Sequence, residues 1–91
     1  MEHGVKYDFN MAYVRLGDYY YYGKHPDGVD HKKAFGLYKS STWYNNSIDF
    51  QAQGYLSLGY MYQFGKGCER NLNSAREAYS NVNLFLFTNK K

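Results

Sequence analysis

The chain has 91 residues, 44% of them hydrophobic and 21% aromatic, and carries a net charge of +3. That is room for one domain or part of a larger one, with a core that would be thin for a free-standing fold. No dense Lys/Arg block and no nucleic-acid-binding motif accompanies the mild positive charge, so a nucleic-acid partner is not expected.

The first predicted element runs from Asn10 to Tyr22, where no Pro occurs and Ala12, Leu16, Tyr19 and Tyr20 recur at helical spacing. Asp8 or Asn10 can cap its start. Gly23 ends the pattern and Pro26 follows shortly after, which is common stop chemistry. A second helix is predicted from Asp30, a plausible N-cap, through Ala34, Leu37 and Tyr38 to about Trp43. Asn45, Asn46 and Ser47 then form a turn-rich break. A third helix is predicted over about 49–64, with a Gly65-Lys66-Gly67 turn after it, and a fourth over about 71–82.

The third and fourth elements repeat the first two. Residues 12–23 read AYVRLGDYYYYG and residues 54–65 read GYLSLGYMYQFG. They align without a gap, pairing Leu16-Gly17 with Leu58-Gly59, Tyr20 with Tyr62 and Gly23 with Gly65, at an offset of 42 residues. Ala34 and Tyr38 pair with Ala75 and Tyr79 at an offset of 41, so the first connector is one residue longer. A period of this size marks stacked helix pairs. Gly17 and Gly59 fall inside helices, where Gly costs about 1 kcal/mol relative to Ala. Repetition of that cost at one place implies close packing with no room for a side chain.

This pattern, A/G-x-x-x-L-G-x-x-Y-x-x-G, a short Gly-containing turn and an Ala four residues before a Tyr, resembles the Sel-one-like repeats, a family related to tetratricopeptide repeats. Both copies carry it, over roughly 12–82. The resemblance implies an all-α fold, an α/α superhelix (solenoid) of two helix-turn-helix repeats at about 10–44 and 49–82, with a tail over 83–91, forming one domain that is a fragment of a longer solenoid. It also implies repeat-packing roles for Ala12, Leu16, Gly17, Tyr20, Gly23, Ala34, Tyr38, Leu58, Gly59, Tyr62, Gly65, Ala75 and Tyr79. The chain departs from the family in its Pro-containing first connector and in Gly54, where Ala is usual.

Within the family, Leu16-Gly17-Asp18-Tyr19, Val29-Asp30 with Ala34-Phe35, and Leu58-Gly59-Tyr60-Met61 are most similar to the luminal adaptors of endoplasmic-reticulum-associated degradation. Those adaptors hold a membrane-embedded RING ubiquitin ligase, so the resemblance implies a luminal binding module with a protein partner. A signalling scaffold built from the same repeats is the alternative. From another class, a secreted β-lactamase-like relative remains, for which the sequence offers no catalytic residues.

The tyrosine run Tyr19 to Tyr22 wraps the helix at about 100° per residue. Tyr20 is read as packing; Val14, Asp18, Tyr21 and Tyr22 are read as one wall of a concave partner-binding face. The matching wall in the second repeat is Leu56, Tyr60, Gln63 and Phe64. Tyr supplies contact area at low entropy cost, and an exposed surface this aromatic implies a partner.

Other residues carry less. His3, His25 and His31 lack an H-x-x-x-H spacing, so neither a metal nor any cofactor is expected. Gly65-Lys66-Gly67 lacks the rest of a phosphate loop. Cys68 is read as an inert packed thiol, and as one cysteine it fixes no compartment. Asp18, Asp27, Asp30, Asp49, Glu69 and Glu77 read as caps and solvated faces. Asn45-Asn46-Ser47 forms an N-glycosylation sequon in a loop. The start of the chain does not resemble a signal peptide, and the apolar run 84–87 is far short of a membrane span. The tail can begin another helix, cap the stack or extend, and either it or self-association through the repeat ends is expected to cover exposed apolar surface.

Overall fold

A computed structural model describes residues 8–24 and 26–89, with side chains described through Val82. His3, Lys6, His25, Lys90 and Lys91 lie outside the described residues, as do the side chains of the apolar run 84–87. The described chain is all-helical and contains no strand: α1 (Phe9–Tyr21), α2 (His31–Ser41), α3 (Ile48–Phe64) and α4 (Leu72–Asn89).

Each start has local chemistry behind it. The carboxylate of Asp8 accepts from Met11 N at 2.9 Å, that of Asp30 from Lys33 N at 3.0 Å and the amide oxygen of Asn71 from Ser74 N at 3.0 Å. Ser47 caps α3 through Phe50 N. Asp8 is thus the cap of α1, and Asn10 serves another purpose. At the other end of α3, Gly65 takes the left-handed conformation (φ 69, ψ 40) that lets its N–H turn back to Met61 O. The fourth helix does not stop near Val82 but continues to Asn89, as no Gly or Pro interrupts 72–89.

Packing follows the repeat. α1 packs on α2 and α3 on α4; α3 also touches both α1 and α2, while among the described residues α4 packs along α3. The result is a thin body of 43 × 36 × 16 Å. Within each pair a tyrosine ring fills the place a side chain would take. A Cβ on Gly17 would lie 2.6 Å from Tyr38 Cε1, and one on Gly59 would lie 2.5 Å from Tyr79 Cε1. Ala34, Tyr38, Leu58, Met61 and Ala78 form the core, with Ala75 also buried and Tyr20 and Tyr62 half-buried against it.

Three expectations from periodicity are corrected. Ala12 and Leu16 are exposed, and Val14, read as groove wall, is buried at 2% exposure. The buried stripe of α1 is Asn10, Val14 and Gly17. The physical reason is position in the stack. Leu58 is buried on the flank of α3 that faces the first pair, whereas α1 has no described helix on its matching flank.

Asn10 is fully buried and ties the two pairs together. Its Nδ2 donates to Ser41 O at 2.5 Å and to Tyr44 O at 2.8 Å, and its Oδ1 accepts from Ser47 N at 2.9 Å. One amide thereby satisfies the end of α2, the connector and the first residue before α3. Gln51 adds a second tie, donating from Nε2 to Thr42 O at 2.7 Å.

Candidate functional site

The helix pairs leave an open groove of about 430 Å³ between α1 and α3. Tyr21 and Tyr22 from the end of α1 form one side, and Leu56, Ser57, Tyr60 and Met61 from α3 form the other. Tyr38 and Tyr79 reach in from the second helix of each pair. The spacing explains the convergence: Leu56 and Tyr60 are four residues apart on one face of α3, and Tyr21-Tyr22 lie where α1 runs out into the Gly23 turn.

The floor is fixed and the rim is open. Tyr38 is 2% exposed, and its hydroxyl donates to the Asp18 carboxylate at 2.5 Å. Burial first, then the neighbouring carboxylate, push the Tyr38 phenol far above its usual range, so it stays protonated and donating. In the second repeat Tyr60 stands where Asp18 stands in the first, and Tyr79 donates instead to Gln63 Oε1 at 2.8 Å. Burial first, then the neighbouring Tyr60 phenol, also raises Tyr79 and Tyr21. On the rim, Tyr22, Leu56, Tyr60 and Phe64 are exposed, with the Tyr60 and Phe64 rings 4.7 Å apart. A smaller hollow beside the groove carries charge, lined by Arg15, Asp18, Tyr19, Tyr22 and Lys24.

Of the eight residues read as partner-binding, the structure brings Tyr21, Tyr22, Leu56 and Tyr60 into the groove. Phe64 extends its rim through Tyr60. Asp18 and Gln63 are engaged as acceptors for Tyr38 and Tyr79, and Val14 lies inside the packing. Sequence reasoning missed Ser57 and Met61, which share the groove, because their types carry no binding signal. It also passed over Trp43, which is 72% exposed in the α2–α3 connector; there the indole was read only as the end of a helix.

Other candidates remain where their surroundings put them. Cys68 is half-buried, its Sγ 3.5 Å from Met61 O, and burial raises its thiol. His31 lies 4.6 Å from the Tyr21 ring. Among the described residues, no three of His, Cys, Asp and Glu converge in a way that could hold a metal ion. Asn45 is exposed, while the Ser47 hydroxyl of the same sequon caps α3. No helix among the described residues is long and apolar enough to cross a membrane.

No family model matches the chain, and no solved structure matches it.

Proposed function

We propose that the chain is a protein-binding module, a two-repeat solenoid of the Sel-one-like kind, whose groove takes an extended segment of a partner protein. The observation that carries this reading is the groove itself: exposed aromatic and aliphatic side chains set on a rigid floor of hydrogen-bonded tyrosines. Aromatic anchors on a preorganised scaffold are what concentrates binding energy at protein interfaces. Their hydroxyls also give partners for the backbone of a bound strand. No chemical step is assigned to the site.

The repeat pattern supports the finer part of the proposal, a role as adaptor in endoplasmic-reticulum-associated degradation with a membrane-embedded RING ubiquitin ligase as partner. Its support is the set of stretches around Leu16-Gly17, Val29-Asp30 and Leu58-Gly59, and such an adaptor works on the luminal side.

The test is capture of that ligase from detergent-solubilised membranes of the source organism, using the chain and a Tyr22→Ala, Tyr60→Ala variant as baits. Both tyrosines are exposed, so the variant keeps its helicity by circular dichroism. Loss of two aromatic anchors lowers affinity by a factor of about 30 or more. Equal capture by both baits removes the groove from the reading. Capture of other soluble proteins alone removes the degradation role and leaves a general scaffold.

A further inference from the structure

The α2–α3 connector carries two exposed side chains that do not line the groove. Trp43 is 72% exposed, more than any other large apolar side chain among the described residues, and Asn45, two residues on, is exposed as well. Between them Tyr44 turns to α1, its ring 4.8 Å from that of Phe9 and 5.9 Å from that of Tyr13. An indole left in water forgoes the burial that such a ring ordinarily gains, so its place in this loop calls for an occupant. Asn45 opens Asn45-Asn46-Ser47, the one N-x-Ser/Thr triplet in the 91 residues, and it lies between helices.

We propose that Asn45 carries an N-linked glycan whose first N-acetylglucosamine lies on the Trp43 indole. In the transfer, Asn45 Nδ2 forms a bond to C1 of an oligosaccharide held as a lipid-linked diphosphate. The C1–O bond breaks, the lipid diphosphate leaves with the electron pair, and the amide gives one proton to a base of the transferase. The transferase reads the Ser47 hydroxyl in the chain before it folds. On folding, that hydroxyl becomes the α3 cap, accepting from Phe50 N. A pyranose presents a face of C–H groups, which suits the electron-rich face of an indole. The position keeps the sugar off the groove. Phe9 N at the start of α1 donates to Asn46 Oδ1, whereas Tyr21 and Tyr22 line the groove at the far end of that helix, about 18 Å away. This inference rests on the luminal part of the proposed function and not on what the groove binds.

The test places a cleavable secretory leader before the chain and expresses it in a eukaryotic cell, beside Asn45→Gln and Trp43→Ala. Both positions are exposed, so the variants keep their helicity. The expected result is a mass above 10.7 kDa that peptide N-glycanase lowers and Asn45→Gln abolishes. The glycosylated chain melts about 4 °C above Asn45→Gln, the response of a domain this size to one aromatic contact. Trp43→Ala keeps the glycan and loses most of that difference. A chain that passes through the lumen and stays at 10.7 kDa overturns the site. A Tm gain that survives Trp43→Ala overturns the seat of the sugar on the indole. Mass spectrometry of the same peptide from the source organism separates this failure from that of the luminal reading. Bare Asn45 there, beside glycosylated Asn45 in the leader-directed chain, overturns the luminal compartment and with it the glycan in the organism.

Discussion

Replacing Gly17 with Ala adds one carbon to the most crowded point of the first helix pair. That carbon would lie 2.6 Å from Tyr38 Cε1, 2.8 Å from Cδ1 and 3.0 Å from Cζ. Ordinary carbon contacts are about 3.5–4.0 Å, so the ring has to retreat by about 1 Å. It has nowhere to go, because Tyr38 is 2% exposed and its hydroxyl is held by Asp18 at 2.5 Å. Overpacking of this kind costs about 1–3 kcal/mol. Against it stands the better helix propensity of Ala, about 1 kcal/mol. Gly36, exposed in the middle of α2 with nothing within 4 Å of its would-be Cβ, isolates the second term. Gly36→Ala is thus expected to raise Tm, and Gly17→Ala to fall below it by the full overpacking term. For a domain of this size that gap is about 4–8 °C per kcal/mol. Thermal and urea unfolding followed at the helical circular dichroism band reads it directly. Gly59→Ala, facing Tyr79, follows Gly17→Ala in sign. If Gly17→Ala stabilises as much as Gly36→Ala, the close-approach argument is wrong.

Three further outcomes follow from other contacts. Asn10→Ala strands Ser47 N and the carbonyls of Ser41 and Tyr44, at about 1–3 kcal/mol for each group left without a partner; a urea midpoint within error of wild type would show that the amide does not join the pairs. Gly54→Ala drives a methyl into the Ser41 hydroxyl and lowers Tm, and Ser41→Ala in the same chain restores most of the loss; additive losses in the double variant would contradict this. Burial and Asp18 hold the folded Tyr38 phenol above the unfolded value of about 10, so the folded state binds more protons as pH rises past that value. Stability is therefore level below about pH 9 and falls above about pH 10. Tyr62, Tyr79 and Tyr21 act in the same direction. Tyr38→Phe reduces that alkaline slope; urea midpoints across the range that show an unchanged slope would remove Tyr38 as its main source.

Helix starts, and the stop of α3, were legible because their causes are local, whereas the end of α4, with no Gly or Pro to mark it, was not. Asp30 and Gly65 act through bonds within a turn of themselves, and their residue types announce it. The close approach at Gly17 was legible because it recurs at Gly59, although the rings that fill it, Tyr38 and Tyr79, were read only as packing residues without that pairing. Which flank of α1 is covered was not legible. Ala12, Leu16 and Tyr19 have a core-like spacing, and only the number of neighbouring helices decides whether that spacing meets a core or solvent. The same ignorance hid Val14 inside the packing and assigned it to the groove. Asn10 carried a signal that pattern reading ignores: the second repeat has Ala52 there, so its role belongs to the junction and not to the repeat. Half of the candidate groove was found because tyrosine and leucine on one helical face are conspicuous; Ser57 and Met61 are not.

The amide of Asn10 also sets an order of disassembly. Among the described residues the fourth helix packs its length on the third and reaches the first pair only through the shared core around Ala78, so α4 can detach with little disturbance of the first pair. Ser47, by contrast, is held from across the chain by a residue of α1, and opening α3 from its start requires breaking a part-buried bond 37 residues long in sequence. Unravelling should therefore begin at the C-terminal helix and stall at Ser47. Amide hydrogens of α4 would exchange with solvent first and those of α1 and α2 last, which makes this short molecule a hierarchy of two cooperative units and not a single all-or-none switch.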